Sequence, residues 1–103
     1  MSKIALIAKL TAAEGKADEL EQALGALIDA SDSESGLEVY SAHRADDDPS
    51  TFYFFELYTD QAALDVHGKA EPMLGAMKAL GGLLGGRPEV TRLTPVVAKG
   101  LSL

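Results

Sequence analysis

The stretch from residue 51 to residue 67, TFYFFELYTDQAALDVH, constrains the fold more than any other part of the chain. Its first half predicts a strand over Phe52–Tyr58 with apolar or aromatic side chains on both faces and Glu56 as the single charged residue. Successive residues of a strand point to opposite faces of its sheet, and a strand that is apolar on both faces is normally covered on both sides. A chain that contains this strand must therefore place further layers above and below its sheet.

The second half of the same stretch predicts a short helix that carries a histidine. Thr59 and Asp60 are residues typical of a helix N-cap, and the strong helix formers QAAL follow them. Side chains three and four residues apart share one face of a helix, so His67 lies on the same stripe as Ala63 and Leu64. We expect this histidine to face the interior.

Composition limits the partners that the chain can have. Its 103 residues are enough for one domain, which we place at residues 1–103. The net charge of −7 argues against nucleic acid and anionic membrane surfaces as partners. The absence of cysteine excludes disulfides and thiolate chemistry. With no recognisable signal peptide and no apolar run approaching about 20 residues, we expect a cytoplasmic protein without a membrane segment.

The spacing of apolar residues predicts five further elements. They are strands over Lys3–Leu10, Leu37–Arg44 and Glu89–Ala98, a helix over Lys16–Ala30, and a helix beginning at Pro72 whose apolar stripe is Met73, Met77, Leu80 and Leu84. The loop ADDDPS joins the second and third strands as a hairpin, because Pro49 cannot continue a strand. On the second strand, alternation places Leu37, Val39 and Ser41 on one face.

The order strand, helix, strand, strand, helix, strand is typical of a ferredoxin-like α+β fold (βαββαβ, a split βαβ), an antiparallel sheet with both helices on one face. Two helices cover only one face of this sheet, yet the third strand is apolar on both. A second copy of the same sheet is the simplest cover for the other face. We therefore expect a homodimer.

The sequence resembles the antibiotic biosynthesis monooxygenase (ABM) superfamily, in its small quinol-monooxygenase-like branch. The resemblance runs from IALIAKL through EGKADELEQAL to SGLEVYSAHRADDDPSTFYFFELYTDQAALDVH. Its most specific part combines a tyrosine in the second strand, a D-x-P hairpin, E-x-Y-x-D at the end of the third strand and A-L-x-x-H. The resemblance implies a dimeric α+β barrel with a ligand pocket between sheet and helices in each subunit. It also implies, for some members, oxidation of electron-rich aromatics by O2 without a cofactor, and for others degradation of haem.

The chain departs from two branches of that superfamily. The haem-degrading members, and the oxygenases that make polyketide quinones, resemble one another in using asparagine and tryptophan at the site. This chain contains neither residue, so we do not expect haem degradation. From the quinol-oxidising branch, the resemblance carries over His67 as the helix histidine, and Glu56 and Tyr58 as the E-x-Y positions.

His67 is the candidate catalytic base. A phenol or quinol reacts with O2 much faster as its anion, and an imidazole is suited to accepting the proton near neutral pH. The alternative is a buried histidine, hydrogen-bonded to a carbonyl or a tyrosine, that only positions its helix. Both interpretations stay open at the level of sequence.

Six residues are candidates for contact with the substrate. They are Tyr40, Tyr53 and Tyr58, which can stack on a ring or hydrogen-bond a hydroxyl, and Leu64, Met73 and Met77, which can line an apolar pocket. Ordinary core packing is the alternative for each. For Arg44 we expect an ion pair with Glu56, or with Glu38 across the dimer.

We expect no metal and no cofactor. The run Asp46–Asp48 lacks the spacing of a calcium loop, and there is no zinc pattern, phosphate-binding glycine loop, dinucleotide fingerprint or nucleophile elbow. The leading hypothesis is a cofactor-independent monooxygenase that oxidises a small quinol or phenolic aromatic with O2. One alternative is a dimeric small-molecule binding module without turnover. The other is a cofactor-free isomerase, in which the histidine moves protons without oxygen.

Overall fold

A computed structural model describes residues 3–103 of the chain. Met1 and Ser2, part of the N-terminal segment in which no targeting signal is predicted, lie outside the described residues. The elements are β1 (Ile4–Thr11), α1 (Ala17–Ser31), β2 (Leu37–Arg44), β3 (Thr51–Tyr58), α2 (Gln61–His67), α3 (Glu71–Ala79), a 3-10 turn at Gly81–Leu83, and β4 (Glu89–Leu93). Over residues 3–103, no helix combines the length and hydrophobicity that crossing a bilayer requires.

The four strands form one antiparallel sheet in the order β2-β3-β1-β4. This is the ferredoxin-like α+β arrangement, so the predicted fold class is confirmed. β3 lies between β2 and β1, and Phe54 is opposite Ala8 on one side and Ala42 on the other. The most aromatic strand therefore occupies the interior of the sheet, where its backbone is paired along both edges.

The helices pack on one face of the sheet, which we call the helix-covered face. α1 buries Leu20, Leu24 and Leu27, whose helical spacing forms a single stripe. That stripe joins Phe52 and Phe54 of β3 in the main core. The remaining members of this core come from β1, α3 and their neighbours, and they are Ala8, Leu10, Ala12, Met73 and Leu80.

A β-bulge corrects the predicted faces of β2. The register shifts between Leu37 and Val39, so that Leu37 is opposite Tyr58 while Val39 is opposite the preceding residue of β3, Leu57. Because of the extra residue, Glu38, the side chain of Leu37 lies on the face of the sheet opposite to the one that alternation predicts. Leu37 thus packs with Ile4, Leu6 and Tyr58 below the helices, and the prediction that it shares a face with Val39 was wrong.

Two predicted elements end earlier than expected. α3 ends at Ala79, and Leu80 to Leu83 turn as a 3-10 helix in which the Leu83 N–H donates to the Leu80 carbonyl at 2.8 Å. Two consecutive glycines at this point make continued helix unfavourable. β4 ends at Leu93 rather than Ala98, because Pro95 has no N–H to donate to a ladder.

The residues after β4 lie against the opposite face of the sheet. Leu57, on that face, is only 1% exposed. The segment supplies Pro95, Val97 and Leu101 to a cleft that also contains Ala5, Phe55 and Leu57. Lys3 Nζ donates to the Ser102 carbonyl at 2.6 Å and holds the segment near the start of β1. The chain therefore covers part of its own second face, whereas Tyr53 at the far end is 38% exposed.

Candidate functional site

A cavity of about 310 Å³ lies between the helix-covered face and the helices. Its walls are mostly apolar, with Leu6, Ala8, Leu10, Phe54 and Val90 from the sheet and Leu27, Leu74, Met77, Leu80, Leu84 and Pro88 from the elements above it. One end is polar and carries Tyr40, Glu56 and His67. Apolar cavities of this size with a few convergent polar groups are typical binding sites for small molecules.

Two other clefts have larger volumes, about 440 Å³ near Lys3 and Arg92 and about 450 Å³ between α1 and β2. Both are more open grooves at the surface. Neither contains the buried carboxylates that lie beside His67. The helix-covered cavity is therefore the better candidate, because it is the least open of the three and has the buried carboxylate of Glu56 beside His67.

His67 reaches the cavity because α2 is short and capped. The Asp60 carboxylate accepts a hydrogen bond from the Ala63 N–H at 2.9 Å, as an N-cap does, and α2 then ends at His67 itself. The imidazole stands edge-on to the rings of Tyr40 and Tyr58, with centroid distances of 5.4 and 5.5 Å. The inward orientation of His67 predicted from its helix stripe is what the structure contains.

Two buried carboxylates flank the imidazole. His67 Nδ1 lies 2.9 Å from Glu34 Oε1, a hydrogen-bond distance, whereas His67 Nε2 lies 3.8 Å from Glu56 Oε1, too far for a direct bond. A neutral imidazole that donates its Nδ1 proton to Glu34 has a free lone pair on Nε2. This arrangement leaves Nε2 able to accept a proton on the Glu56 side of the ring.

Burial sets the proton affinities of the neighbouring groups. The pKa of Glu56 is raised from its ordinary value, first because burial disfavours the carboxylate, and this is partly opposed by the hydrogen bond from Tyr58 and by the charge of His67. The pKa of Tyr58 and that of Tyr40 are also raised, in each case chiefly by burial. Both phenols therefore stay protonated and act as donors, Tyr58 to Glu56 and Tyr40 to the Met73 sulfur at 3.8 Å.

The structure brings some of the predicted site residues to the cavity and not others. His67, Tyr40 and Met77 line it. Met73 lies behind Tyr40 as the acceptor of its hydroxyl, and Tyr58 is wholly buried behind Glu56.

Leu64 and Tyr53 lie away from the cavity wall. Leu64 packs beside Ile4, Leu6 and Tyr58 in a separate cluster. Tyr53 belongs to the opposite face of the sheet, because it alternates with Phe52 and Phe54 along β3.

Glu34 is the site residue that sequence reasoning missed. It belongs to the loop SDSESG between α1 and β2, which reads only as a turn, and nothing local distinguishes Glu34 from the exposed Asp32. The loop approaches α2 closely because residue 36 is glycine: a Cβ there would overlap the Ala63 Cβ. In the sequence, the glycine directly before β2 was the one indication that the loop lies close to α2.

Arg44 does not pair with Glu56 within the chain, and its pairing with Glu38 across a dimer stays a prediction. Its guanidinium contacts Asp18 and Glu21 of α1, each at 3.1 Å, and lies 5.2 Å from the centre of the Phe52 ring. Glu38 instead pairs with Lys3 at 2.7 Å. The expected pairing of Arg44 with Glu56 is wrong, because Arg44 is at the far end of β2 and extends toward α1 rather than toward the cavity.

Within residues 3–103, no three histidine, cysteine, aspartate or glutamate side chains are grouped so that they could hold a metal ion. In the acidic loop, Asp48 accepts hydrogen bonds from Ser50 and Thr51, which fixes the hairpin turn.

Three comparisons with known proteins bear on this site. A family model described as antibiotic biosynthesis monooxygenase matches residues 3–79. The search of curated proteins found no match.

Among solved structures, protein PA3566 from Pseudomonas aeruginosa is 33% identical with a TM-score of 0.84, and the match covers 94% of this chain and 97% of that one. A protein from Caulobacter crescentus, provisionally described as an antibiotic biosynthesis monooxygenase, is 28% identical with a TM-score of 0.86 and coverage of 93% and 92%. Protein NE2512 from Nitrosomonas europaea, described as of unknown function, is 26% identical with a TM-score of 0.85 and coverage of 99% and 97%.

Proposed function

We propose that this chain, which belongs to the antibiotic biosynthesis monooxygenase family, is a cofactor-independent monooxygenase that oxidises a small quinol or related phenol with O2. The observation that carries the proposal is the position of His67 at the polar end of an apolar cavity between sheet and helices, with Nδ1 hydrogen-bonded to Glu34 and Nε2 left as an acceptor. A base in this position can form the anion of a bound phenol. The anion is the form of the substrate that gives an electron to O2.

The first step is transfer of the phenolic proton to His67 Nε2. The cavity is small enough for a one- or two-ring aromatic, and Phe54 and Met77 offer it apolar contact. Tyr40, which keeps its proton, lies beside the base and can donate to a substrate oxygen. The imidazolium formed in this step is stabilised by the nearby carboxylates.

The oxidation itself needs only the substrate anion and O2. One electron passes from the phenolate to O2, the resulting superoxide combines with a ring carbon bearing hydrogen, and the peroxide loses water to give a quinone. One phenol and one O2 thus yield one quinone and one water, with one oxygen atom in each product. His67 returns its proton to the departing oxygen, so the cycle closes without net uptake or release of protons.

The apolar walls support the same chemistry. O2 and a neutral phenol both partition favourably into an apolar cavity, and a bound substrate that displaces water from its walls reduces the side reactions of a radical pair or peroxide. The walls also account for the choice of substrate class, because an anionic sugar or a nucleotide would find too few polar groups to replace its hydration.

The test is oxygen uptake with a panel of dihydroxy-aromatics, comparing the wild type with His67→Gln and with His43→Gln. His43 is the other histidine of the chain, and it lies exposed on the face of β2 away from the cavity, bonded to Ser41. We expect His67→Gln to lower kcat by about 10²- to 10⁴-fold and His43→Gln to leave it unchanged. With ¹⁸O2, one labelled atom should enter the quinone.

Other outcomes would overturn the proposal. No oxygen uptake by the wild type across the panel, with binding that is equally strong in His67→Gln, would identify a binding module. Exchange of a substrate proton for deuterium under anaerobic conditions, without oxidation in air, would identify an isomerase.

A further inference from the structure

We infer that Glu34 is a positioning residue for the reaction, which holds His67 in the tautomer that leaves Nε2 free and stabilises the imidazolium between the two proton transfers. The inference rests on the proposed function for its chemistry. Its structural part concerns only the state of the imidazole and can be tested without turnover.

The first observation is the geometry of the pair. Glu34 and His67 are 33 residues apart in sequence, yet Glu34 Oε1 lies 2.9 Å from Nδ1. The Glu34 side chain is 2% exposed and does not line the cavity. Glu34 therefore contacts the imidazole on the side away from the cavity, as the carboxylate of a catalytic triad contacts its histidine.

The second observation is the use of the carboxylate oxygens. Glu34 Oε2 is buried and has no hydrogen-bond partner among residues 3–103. A buried carboxylate is costly unless its charge is compensated, and among residues 3–103 the imidazole is the one side chain that hydrogen-bonds to Glu34. The carboxylate and the ring are thus coupled: the negative charge is best tolerated when His67 carries a proton on Nδ1.

The third observation is that the backbone fixes the loop. The Glu34 N–H donates to the Ser31 carbonyl at 2.9 Å, and the Leu37 N–H donates to the Glu34 carbonyl at 3.1 Å. Gly36 lets the loop lie directly against Ala63 of α2, and its carbonyl accepts from the Thr59 N–H at 2.8 Å. The backbone before and after Glu34 is therefore fixed close to α2. A side chain that orients another side chain needs such a rigid position.

Four ionisable side chains face His67. They are Glu34 from the loop, Glu56 and Tyr58 from β3, and Tyr40 from β2. Glu56 has a raised pKa because of burial, and it receives the Tyr58 hydroxyl. Among these groups, Glu34 alone is within hydrogen-bond distance of the ring, so its negative charge interacts most strongly with the imidazolium.

The test combines ¹⁵N NMR of the imidazoles with kinetics, on the full chain. The chain has two histidines, so His43→Gln assigns both sets of signals. In the wild type we expect neutral His67 to carry its proton on Nδ1. In Glu34→Gln, the share of neutral His67 that carries its proton on Nε2 should rise, because an amide side chain can donate to Nδ1 as well as accept from it.

The kinetic expectation separates positioning from binding. Glu34→Gln should lower kcat by about 10²-fold with little change in KM. Glu34→Asp keeps the charge but shortens the side chain, so it should recover part of the rate. Asp32→Asn is the matched control: it removes one charge from the same loop at an exposed position, and it should leave both readouts unchanged.

Two results would overturn the inference. One is a wild-type His67 whose neutral form carries its proton on Nε2. The other is a Glu34→Gln variant that keeps the wild-type tautomer and turns over like the wild type. A wild type that consumes no oxygen but shows the expected tautomer, with that preference reduced in Glu34→Gln, would support the placement of Glu34 and remove only the proposed oxidation.

Discussion

The two faces of β3 carry nearly the same kind of side chain and are used differently. Phe52, Phe54 and Tyr58 on the helix-covered face are at most 2% exposed, whereas Tyr53 and Phe55 on the opposite face are exposed or half-buried. The first face forms the cavity wall and supports Glu56 and His67. The second is covered only in part, by the residues after β4. Apolar sequence on a strand therefore shows that a face needs cover, but not what supplies the cover.

Phe54 and Phe55 are neighbours in β3 and point to opposite faces of the sheet. Phe54→Ala should lower the free energy of unfolding by about 3–5 kcal/mol, because it empties a core position that α1 and α3 enclose. Phe55→Ala should have a clearly smaller effect at low protein concentration, since this side chain is half-buried in the single chain. Urea unfolding followed by circular dichroism measures both. Equal losses would mean that the two faces are enclosed to the same degree within one chain.

The opposite face of the sheet is where we expect the homodimer to form. If a second copy covers the opposite face, Phe55→Asp should weaken association by about 2–4 kcal/mol, roughly 30- to 1,000-fold in the dissociation constant, because it buries a charge at the centre of the interface. Sedimentation equilibrium should then show a single-chain mass for the variant and twice that mass for the wild type. A monomeric wild type at high concentration would contradict the dimer.

An exposed position on the helix layer offers a matched control for that experiment. Gln22→Glu adds one negative charge, as Phe55→Asp does, but on α1, away from the opposite face of the sheet. It should leave the mass unchanged, which would show that loss of association in Phe55→Asp follows from the position and not from altered net charge.

Much of the fold was accessible from sequence because its signals are local. Alternation and helical spacing give the order of the elements, Asp60 gives the start of α2, and the stripe on that helix gives the inward direction of His67. The ends of α3 and β4 were placed too far along the chain. There, tertiary pairing and paired glycines decide the boundary, and periodicity does not.

The candidate site was less accessible because it depends on contacts between distant segments. Tyr40 and Met77 were identified since they lie on inward faces of regular elements. Glu34 lies in a loop without periodicity, and only the tertiary fold brings it to His67. Tyr53 was included because a tyrosine on a strand with two apolar faces gives no indication of which face encloses the ligand.

Removing a tyrosine hydroxyl from either face of β3 should change stability less than removing the Phe54 ring. Tyr58→Phe should lower the free energy of unfolding by about 1.5–3 kcal/mol, because the buried Tyr58 hydroxyl donates to the Glu56 carboxylate. Tyr53→Phe removes a hydroxyl from the same strand on the exposed side and should change stability by less than about 0.5 kcal/mol. Thermal and urea unfolding measure both. A Tyr53→Phe loss as large as that of Tyr58→Phe would place the Tyr53 hydroxyl in a buried contact.

The smallest expected effect is a pH dependence of opposite sign at two glutamates. The pKa of Glu56 is raised by burial, so the folded state binds its proton more tightly than the unfolded state. That contribution to stability is complete below the ordinary glutamate pKa and is lost as the pH rises through the folded value. Glu56→Gln should therefore gain stability relative to the wild type as the pH rises from about 4 to 7, by less than Tyr58→Phe loses.

Glu38, at the exposed bulge of β2, supplies the control with the reverse sign. Hydrogen bonds from Lys3 and Thr59 lower the pKa of its carboxyl, so its contribution to stability is present at neutral pH and is lost as the pH falls through the lowered value. Glu38→Gln should thus lose stability relative to the wild type at neutral pH and approach it in acid. Urea midpoints of the three proteins between pH 3 and 8 measure the two slopes. If both variants diverged from the wild type in the same direction, Glu56 would be an ordinary stabilised carboxylate, and burial would not be what distinguishes the cavity side of the sheet.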